Sequence, residues 1–153
     1  MIRLRDSILI DVPPERVWAW LNELPIHYRE WHPAHVACWY ERGRSLEVGA
    51  VLYVVEHLHD RLHRLRLRAT DVVPGRVLRY RNHAFAGAFL VEAANGRTCF
   101  TAELTFGLRT PVLGDLFDAV VRRVLARRLA TIQTHMREEG ENLKRLVEEE
   151  HAA

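Results

Sequence analysis

Residues 3–24 of this 153-residue chain, RLRDSILIDVPPERVWAWLNEL, contain the change in apolar spacing that decides how the fold begins. In residues 3–11 the main apolar side chains share one parity, which predicts a strand with one buried face. The pair Pro13-Pro14 ends this strand, because proline cannot donate to a β ladder, and it suits the first turn of a helix. Apolar residues then recur at helical spacing, so a helix is predicted up to Pro25.

The segment from about residue 37 to 108 has the alternation of β-strands. The predicted strand-like runs are 51–58, 62–72, 76–81, 85–93 and 97–106, and turn residues separate them. Among these turns, Asn95-Gly96 is the strongest hairpin signal because both residues tolerate positive φ. The runs therefore predict an antiparallel meander, and the regular alternation of polar with apolar residues indicates that one face of the sheet is in contact with water.

A long amphipathic helix is predicted after the meander, from Pro111 to about Glu149, with Gly114 and Gly140 as its weak points. Its apolar stripe runs through residues 121, 125, 129, 132, 136, 143 and 146. A helix with such a stripe must bury it, so we expect this helix to lie across the apolar face of the sheet.

Composition restricts the class of protein. With 48% hydrophobic and 27% charged residues, the chain is predicted to form a single domain over residues 1–153, and it has no apolar run long enough for a membrane span. The net charge of +2 gives no reason to expect nucleic acid as a partner, and there is no glycine-rich motif for a nucleotide cofactor. Charged residues near Met1 argue against a signal peptide and favour a cytoplasmic protein. The two cysteines, Cys38 and Cys99, form no CxxC pair, so a metal site must use the nine histidines and the carboxylates.

This order of elements, together with residues 7–21 at the strand-to-helix junction, resembles the SRPBCC superfamily, which includes START-like, Bet v 1-like and polyketide cyclase proteins. The resemblance implies an α+β helix-grip fold: a curved antiparallel sheet of about seven strands wrapped around a long C-terminal helix, with short helices after the first strand. It also implies an apolar pocket for a small molecule. Residues of the predicted strands and helices that we expect to line this pocket are Trp31, Tyr53, Leu67, Tyr80, Phe89, Phe100, Leu104, Ile132 and Met136.

On the long helix, His135 and Glu139 are four residues apart and share one face, where a His and a Glu are able to bind one cation together. At 100° per residue, Glu139 lies within about 20° of Ile132 and therefore points towards the sheet. A lone buried carboxylate must be protonated, paired or bound to a metal. Arg128 lies on the same stripe but about 16 Å from Glu139 along the axis, so it is a poor partner.

Two further elements supply ligands. Around Glu56 the two parities are equally apolar, so the pattern leaves open whether Glu56 or His57 points inward. The segment 26–36, a loop or short helix, carries His32 and His35 next to aromatic residues, where a cavity mouth is expected. One or two of these histidines, a strand Glu and the helical His–Glu pair make a His2Glu2 set suited to zinc or a similar divalent cation.

The segment WHPAHV at 31–36, then Glu56, then His135-x-x-x-Glu139, resembles the metal-binding pattern of the phloroglucinol and phloretin hydrolases. These enzymes use zinc to cleave a carbon–carbon bond next to an aryl ketone. The resemblance implies the ligands His35, Glu56, His135 and Glu139, with His32 as the substitute for His35.

Three functions follow from these patterns. The first is a metal-dependent hydrolase or cyclase that acts on an aromatic or polyketide-like ketone. The alternative is a non-enzymatic carrier or sensor of a lipid, quinone or polyketide, and a cyclase that uses pocket histidines without metal is a third. In each case the partner is a small hydrophobic or aromatic molecule, and a homodimer is allowed.

Overall fold

The computed structural model describes residues 1–107 and 113–153. Its elements are β1 (Ile2–Ile10), α1 (Pro14–Asn22), α2 (Leu24–Trp31), β2 (His35–Arg42), β3 (Val51–Leu58), β4 (Arg61–Val73), β5 (Val77–Arg81), β6 (Ala86–Ala94), β7 (Arg97–Phe106), α3 (Leu113–Val124) and α4 (Ala126–Ala152). The predicted start, a strand that passes into helix at Pro13-Pro14, is present as β1 and α1.

The seven strands form one antiparallel sheet in the order β1-β7-β6-β5-β4-β3-β2. The first strand thus closes onto the last, and β2 to β7 form the predicted meander. The hairpin turns fall at residues with positive φ, His59 and Asp60 between β3 and β4, and Asn95 and Gly96 between β6 and β7. The predicted α+β helix-grip architecture is confirmed.

Pro25 does not end a helix, as the sequence pattern suggests, but begins one. Helix α1 ends at Asn22, and Pro25 lies in the first turn of α2. A proline there loses only an N–H group that has no helical partner in any case. The segment predicted as a loop or short helix is therefore mostly helix α2, which ends at Trp31 and passes into β2 at His35.

The predicted long C-terminal helix is divided into α3 and α4. The interruption lies at Leu125, where φ is −104° and ψ is 15°, and not at a glycine. The Leu125 amide still donates to the Val121 carbonyl oxygen, so the chain bends here without losing that helical bond. Gly140 lies inside α4, buried against β1. The predicted start at Pro111 lies outside the described residues.

Helix α4 packs across the concave face of the sheet through buried Met136, Leu143 and Val147. The sheet, α2, α3 and the first half of α4 enclose a cavity of about 630 Å³. Nowhere in residues 1–107 and 113–153 is there a helix both long and apolar enough to traverse a lipid bilayer.

Candidate metal centre and ligand cavity

The cavity wall consists mainly of aliphatic and aromatic side chains from the sheet and from the helical stripe. Most residues predicted for the pocket line it: Trp31, Leu67, Tyr80, Phe89, Leu104, Ile132 and Met136. A surface of this kind accepts an apolar or aromatic molecule and excludes water from the groups at its polar end.

Two residues predicted for the pocket do not line it. Tyr53 lies on the outer face of β3, where its ring stacks on Trp39 with 4.5 Å between centroids. The reason is strand parity: Leu52, Val54 and Glu56 face the cavity, so Tyr53 between them faces outward. Phe100 is buried behind the wall and packs against Phe89 with the ring centroids 5.6 Å apart.

A cluster of histidines and carboxylates from β2, β3 and α4 lies at one end of the cavity, where Glu56, His135 and Glu139 line the wall and His35 is buried behind them. His35 begins β2 and is the register partner of Glu56 on β3. His135 and Glu139 are one turn apart on α4, and Glu139 points inward with 15% of its side chain exposed. The structure also chooses between the two parities of β3, because Glu56 lines the cavity whereas His57 is exposed.

Two imidazole nitrogens of the cluster approach one oxygen of Glu139. The Nε2 atom of His35 lies 2.8 Å from Glu139 Oε1, and Nε2 of His135 lies 3.1 Å from the same oxygen. The Oε2 atom of Glu56 lies 3.7 Å from His35 Nε2. Ligand atoms around a tetrahedral zinc ion with bonds of about 2.0–2.1 Å are about 3.3 Å apart, so the 2.8 Å and 3.1 Å contacts are hydrogen-bonded and would have to widen slightly around an ion.

Hydrogen bonding places a hydrogen on Nδ1 of His35. Its Nδ1 lies 2.9 Å from the Tyr28 carbonyl oxygen, which only accepts, so Nδ1 carries a hydrogen and donates it. In neutral His35, Nε2 therefore has a lone pair that faces the Glu139 carboxylate. Two acceptors at this distance require a proton or a cation between them. Donation from the second ring nitrogen to a backbone carbonyl is also the usual support of a metal-bound histidine.

His32 adds a third imidazole. The Ala34 amide donates to His32 Nδ1, so in the neutral ring Nε2 carries the hydrogen and donates it to Glu138 Oε2 at 2.7 Å. Ligand atoms of His32, His35 and His135 all lie within 4.8 Å of one another. His32 therefore lies beside His35 in the cluster, so the structure does not make the two histidines exclusive alternatives.

The charges of the cluster are strongly coupled. Burial acts to raise the pKa of Glu139, but hydrogen bonds from His135 and His35 outweigh it and lower the pKa to about 2. For His135, burial acts to lower the pKa, while the hydrogen bond and charge of Glu139 and the charges of Glu56 and Glu138 raise it above its ordinary value. Glu139 is thus held as a carboxylate that needs a positive partner.

Sequence reasoning missed Tyr28 and Glu138. The Tyr28 hydroxyl donates to Glu56 Oε2 at 2.9 Å, and its ring stacks on His35 with centroids 3.9 Å apart. Burial, followed by the charge of Glu56, raises the pKa of Tyr28, which keeps it a donor. No sequence spacing signals these contacts, because α2, β2 and β3 meet only in the folded chain. In the same way, the Trp31 indole N–H donates to the Glu139 carbonyl oxygen at 2.9 Å and fixes α2 against α4.

Comparison with known families agrees with this architecture. The family described as polyketide cyclase/dehydrase and lipid transport matches residues 1–148, so the chain belongs to that family. This family lies within the superfamily that the sequence resembles. A comparison with curated protein sequences finds no significant match.

Solved structures show the same fold. The aromatase/cyclase ZhuI from Streptomyces sp. R1128 is 16% identical with a TM-score of 0.65, over 95% of this chain and 95% of that one. The polyketide cyclase-like protein Cgl2372 from Corynebacterium glutamicum is 24% identical with a TM-score of 0.61, over 97% and 92%. TTHA0849 from Thermus thermophilus is 14% identical with a TM-score of 0.72, over 95% and 97%. These comparisons give no support for the resemblance to the phloroglucinol and phloretin hydrolases, which stays a prediction.

Proposed function

We propose that the cavity binds a small hydrophobic or aromatic molecule. We also propose that a divalent cation, preferentially zinc, is held at its polar end by His35, Glu56, His135 and Glu139. The observation that carries this proposal is the approach of two imidazole Nε2 atoms, His35 and His135, to one oxygen of Glu139, where His35 already donates through Nδ1 to a backbone carbonyl, the usual support of a metal-bound histidine. His32 lies beside this set as the alternative imidazole, and to act as a ligand through Nε2 it would have to move its hydrogen to Nδ1 and give up the hydrogen bond from the Ala34 amide.

The donor set fits a zinc-type ion in number and charge. Two carboxylates and two neutral imidazoles give a formally neutral site around a 2+ ion, which an apolar cavity tolerates better than a separate charge. The competing state is an imidazolium–carboxylate network with a proton in place of the metal. Metal binding displaces that proton, so we expect affinity to rise with pH as His135 loses it.

The surrounding residues have definable roles in this proposal. A bound zinc ion would supply Lewis acidity to a carbonyl oxygen or lower the pKa of a water molecule. Tyr28 orients Glu56 through its hydroxyl group and His35 through its carbonyl oxygen. The apolar wall keeps bulk water away, and Tyr80, whose pKa is raised by burial, remains a neutral donor on that wall.

The reaction class we propose is hydrolysis or cyclisation of an aromatic or polyketide-like ketone. Three features support it: the apolar cavity, the convergent donors, and the similarity in fold to an aromatase/cyclase. Hydrolysis is the finer proposal and rests on the resemblance of the His35, Glu56 and His135-x-x-x-Glu139 pattern to that of the phloroglucinol and phloretin hydrolases. A homodimer and a cytoplasmic location also stay predictions.

Carriage of an apolar ligand without catalysis is the second candidate. The large aliphatic and aromatic part of the wall favours the carrier role, because most of it lies away from the polar cluster and an apolar ligand binds to it without a metal. In that case, the His–Glu network would serve only to fix α4 against β2 and β3.

Elemental analysis after incubation with zinc and removal of excess metal distinguishes the metal-dependent function from the carrier function. We expect about one zinc ion per chain, and a loss of affinity of at least about tenfold in His135→Ala and in His35→Ala. The matched control is His151→Ala, an exposed histidine on the same helix, which should retain the ion. Wild-type protein that binds no zinc but retains an apolar ligand in native mass spectrometry would establish the carrier instead.

A further inference from the structure

A group of basic side chains lies on the cavity wall apart from the metal-binding cluster. His59 lies in the β3–β4 turn, His63 lies on β4 just after it, and Arg128 lies near the start of α4. All three line the same cavity. His63 is held in place through Nε2, which donates to the Leu58 carbonyl oxygen at 3.1 Å. We refer to His59, His63 and Arg128 as the basic rim.

The basic rim lies at a defined distance from the candidate metal centre. Arg128 precedes His135 by seven residues, so both project from nearly the same face of α4, two turns apart. The rise between them along the helix axis is about 10 Å. A ligand that spans this distance therefore contacts the His–Glu cluster with one end and the Arg128 guanidinium with the other.

Arg128 supplies the permanent positive charge of the rim. Burial, followed by the charges of Arg128 and His63, lowers the pKa of His59, while the nearby exposed Asp60 opposes this shift. Within residues 1–107 and 113–153, the guanidinium of Arg128 forms no ion pair with a carboxylate. Asp118, another carboxylate on the cavity wall, is paired with the amino group of Met1.

We propose that the cavity selects amphipathic carboxylic acids, with the apolar body against the aliphatic wall and the carboxylate on Arg128 at the basic rim. This inference rests on the proposed binding of an apolar ligand in the cavity but not on the metal. A guanidinium prefers a carboxylate because its planar donors form paired, charge-assisted hydrogen bonds. The acid group thereby sets the orientation of the ligand and directs its other end towards the His–Glu cluster.

Isothermal titration calorimetry with decanoic acid and 1-decanol tests this at pH 7.5 in buffer with a chelator. We expect wild-type protein to bind both, and Arg128→Gln to weaken decanoate binding about 5- to 10-fold while decanol affinity stays within about twofold. Arg128→Lys keeps the charge and should retain most of the decanoate affinity. Thermal unfolding of each variant verifies that it is folded.

Arg127→Gln is the matched control, because Arg127 is adjacent on the same helix, exposed, and not part of the cavity wall. It should change neither affinity. Equal effects of Arg128→Gln on decanoate and decanol, or equal effects of the Arg127 and Arg128 variants, would overturn the proposal. Wild-type binding of decanol but not decanoate would also overturn it. Failure of both ligands to bind would instead count against the proposed ligand-binding function itself, whereas the zinc measurement tests the metal centre separately.

Discussion

Strand β2 carries a close ionic contact at each end, and the two contacts differ in almost everything except distance. At its start, His35 Nε2 lies 2.8 Å from Glu139 Oε1, and the His35 side chain is fully buried. Near its end, Glu41 Oε2 lies 2.9 Å from Arg66 Nε on β4, with 67% of the Arg66 side chain exposed. The first joins the strand to helix α4 and the second joins two strands of the sheet on its outer face.

The difference shows that a contact distance by itself does not measure importance. Water solvates Glu41 and Arg66 whether or not they touch, so their pairing adds little to stability. In the folded protein, Glu139 and His35 are hydrogen-bonded to each other instead of to water, so removal of one leaves the other buried without a charged partner. We therefore expect function and stability to depend on the inner contact.

The largest effect is expected for Glu139→Ala compared with Glu41→Ala. With a chelator present, Glu139→Ala should lower the free energy of unfolding by about 3 kcal/mol, because His35 and His135 lose their buried counter-charge. Glu41→Ala should leave the urea midpoint at the wild-type value. Chemical denaturation followed by circular dichroism measures both, and similar losses in the two variants would remove the distinction between the two ends of β2.

A pH series in metal-free protein measures how much stability the inner contact of Glu139 supplies. The pKa of Glu139 is lowered from 4.5 to about 2, so its contribution to stability is complete above pH 4.5 and is lost as the pH falls through 2. The pKa of His135 is raised, so its contribution is complete below its ordinary value of 6.5 and is lost as the pH rises through the higher value.

Stability should therefore be greatest between these two limits, near pH 5–6 by rough estimate. Urea unfolding from pH 2 to 8 measures this dependence. In Glu139→Gln the decline at acid pH should be much weaker than in wild-type protein. Parallel decline of the two proteins below pH 4.5 would show that other carboxylates cause it.

The smallest of these effects is expected for Tyr28→Phe, which removes the hydroxyl donor of Glu56. A buried hydrogen bond to a charged group contributes about 1.5 kcal/mol, and a loss of that size is expected in urea unfolding. Tyr53→Phe is the control, since Tyr53 lies on the outer face of β3, and it should unfold at the wild-type midpoint. A Tyr28 variant as stable as the Tyr53 variant would mean that water replaces the hydroxyl at Glu56.

The inner contact was only partly predictable from sequence. Helical phase directs Glu139 inward because one period applies along the whole of α4, and the structure has it inward. The alternation along β3 does not show which side chains face the cavity, since both of its faces are apolar. Only the pairing of Glu56 with His35 across the strands showed that Glu56 does. The prediction that Tyr53 lines the pocket was wrong for the same reason. The bend at Leu125 was not predicted because no proline or glycine occurs there.

Periodicity along the chain, with the turn residues between the runs, determined the strands, their antiparallel order, the helix across the sheet and the presence of a His–Glu pair on one face of α4. These are local properties, set by side-chain spacing of two or about 3.6 residues. Tertiary structure decided which carboxylate of β3 faces inward, that Tyr28 supports both Glu56 and His35, and that Arg128 shares a cavity with the cluster. Such juxtapositions depend on how sheet and helices pack, and no spacing within a single element encodes them.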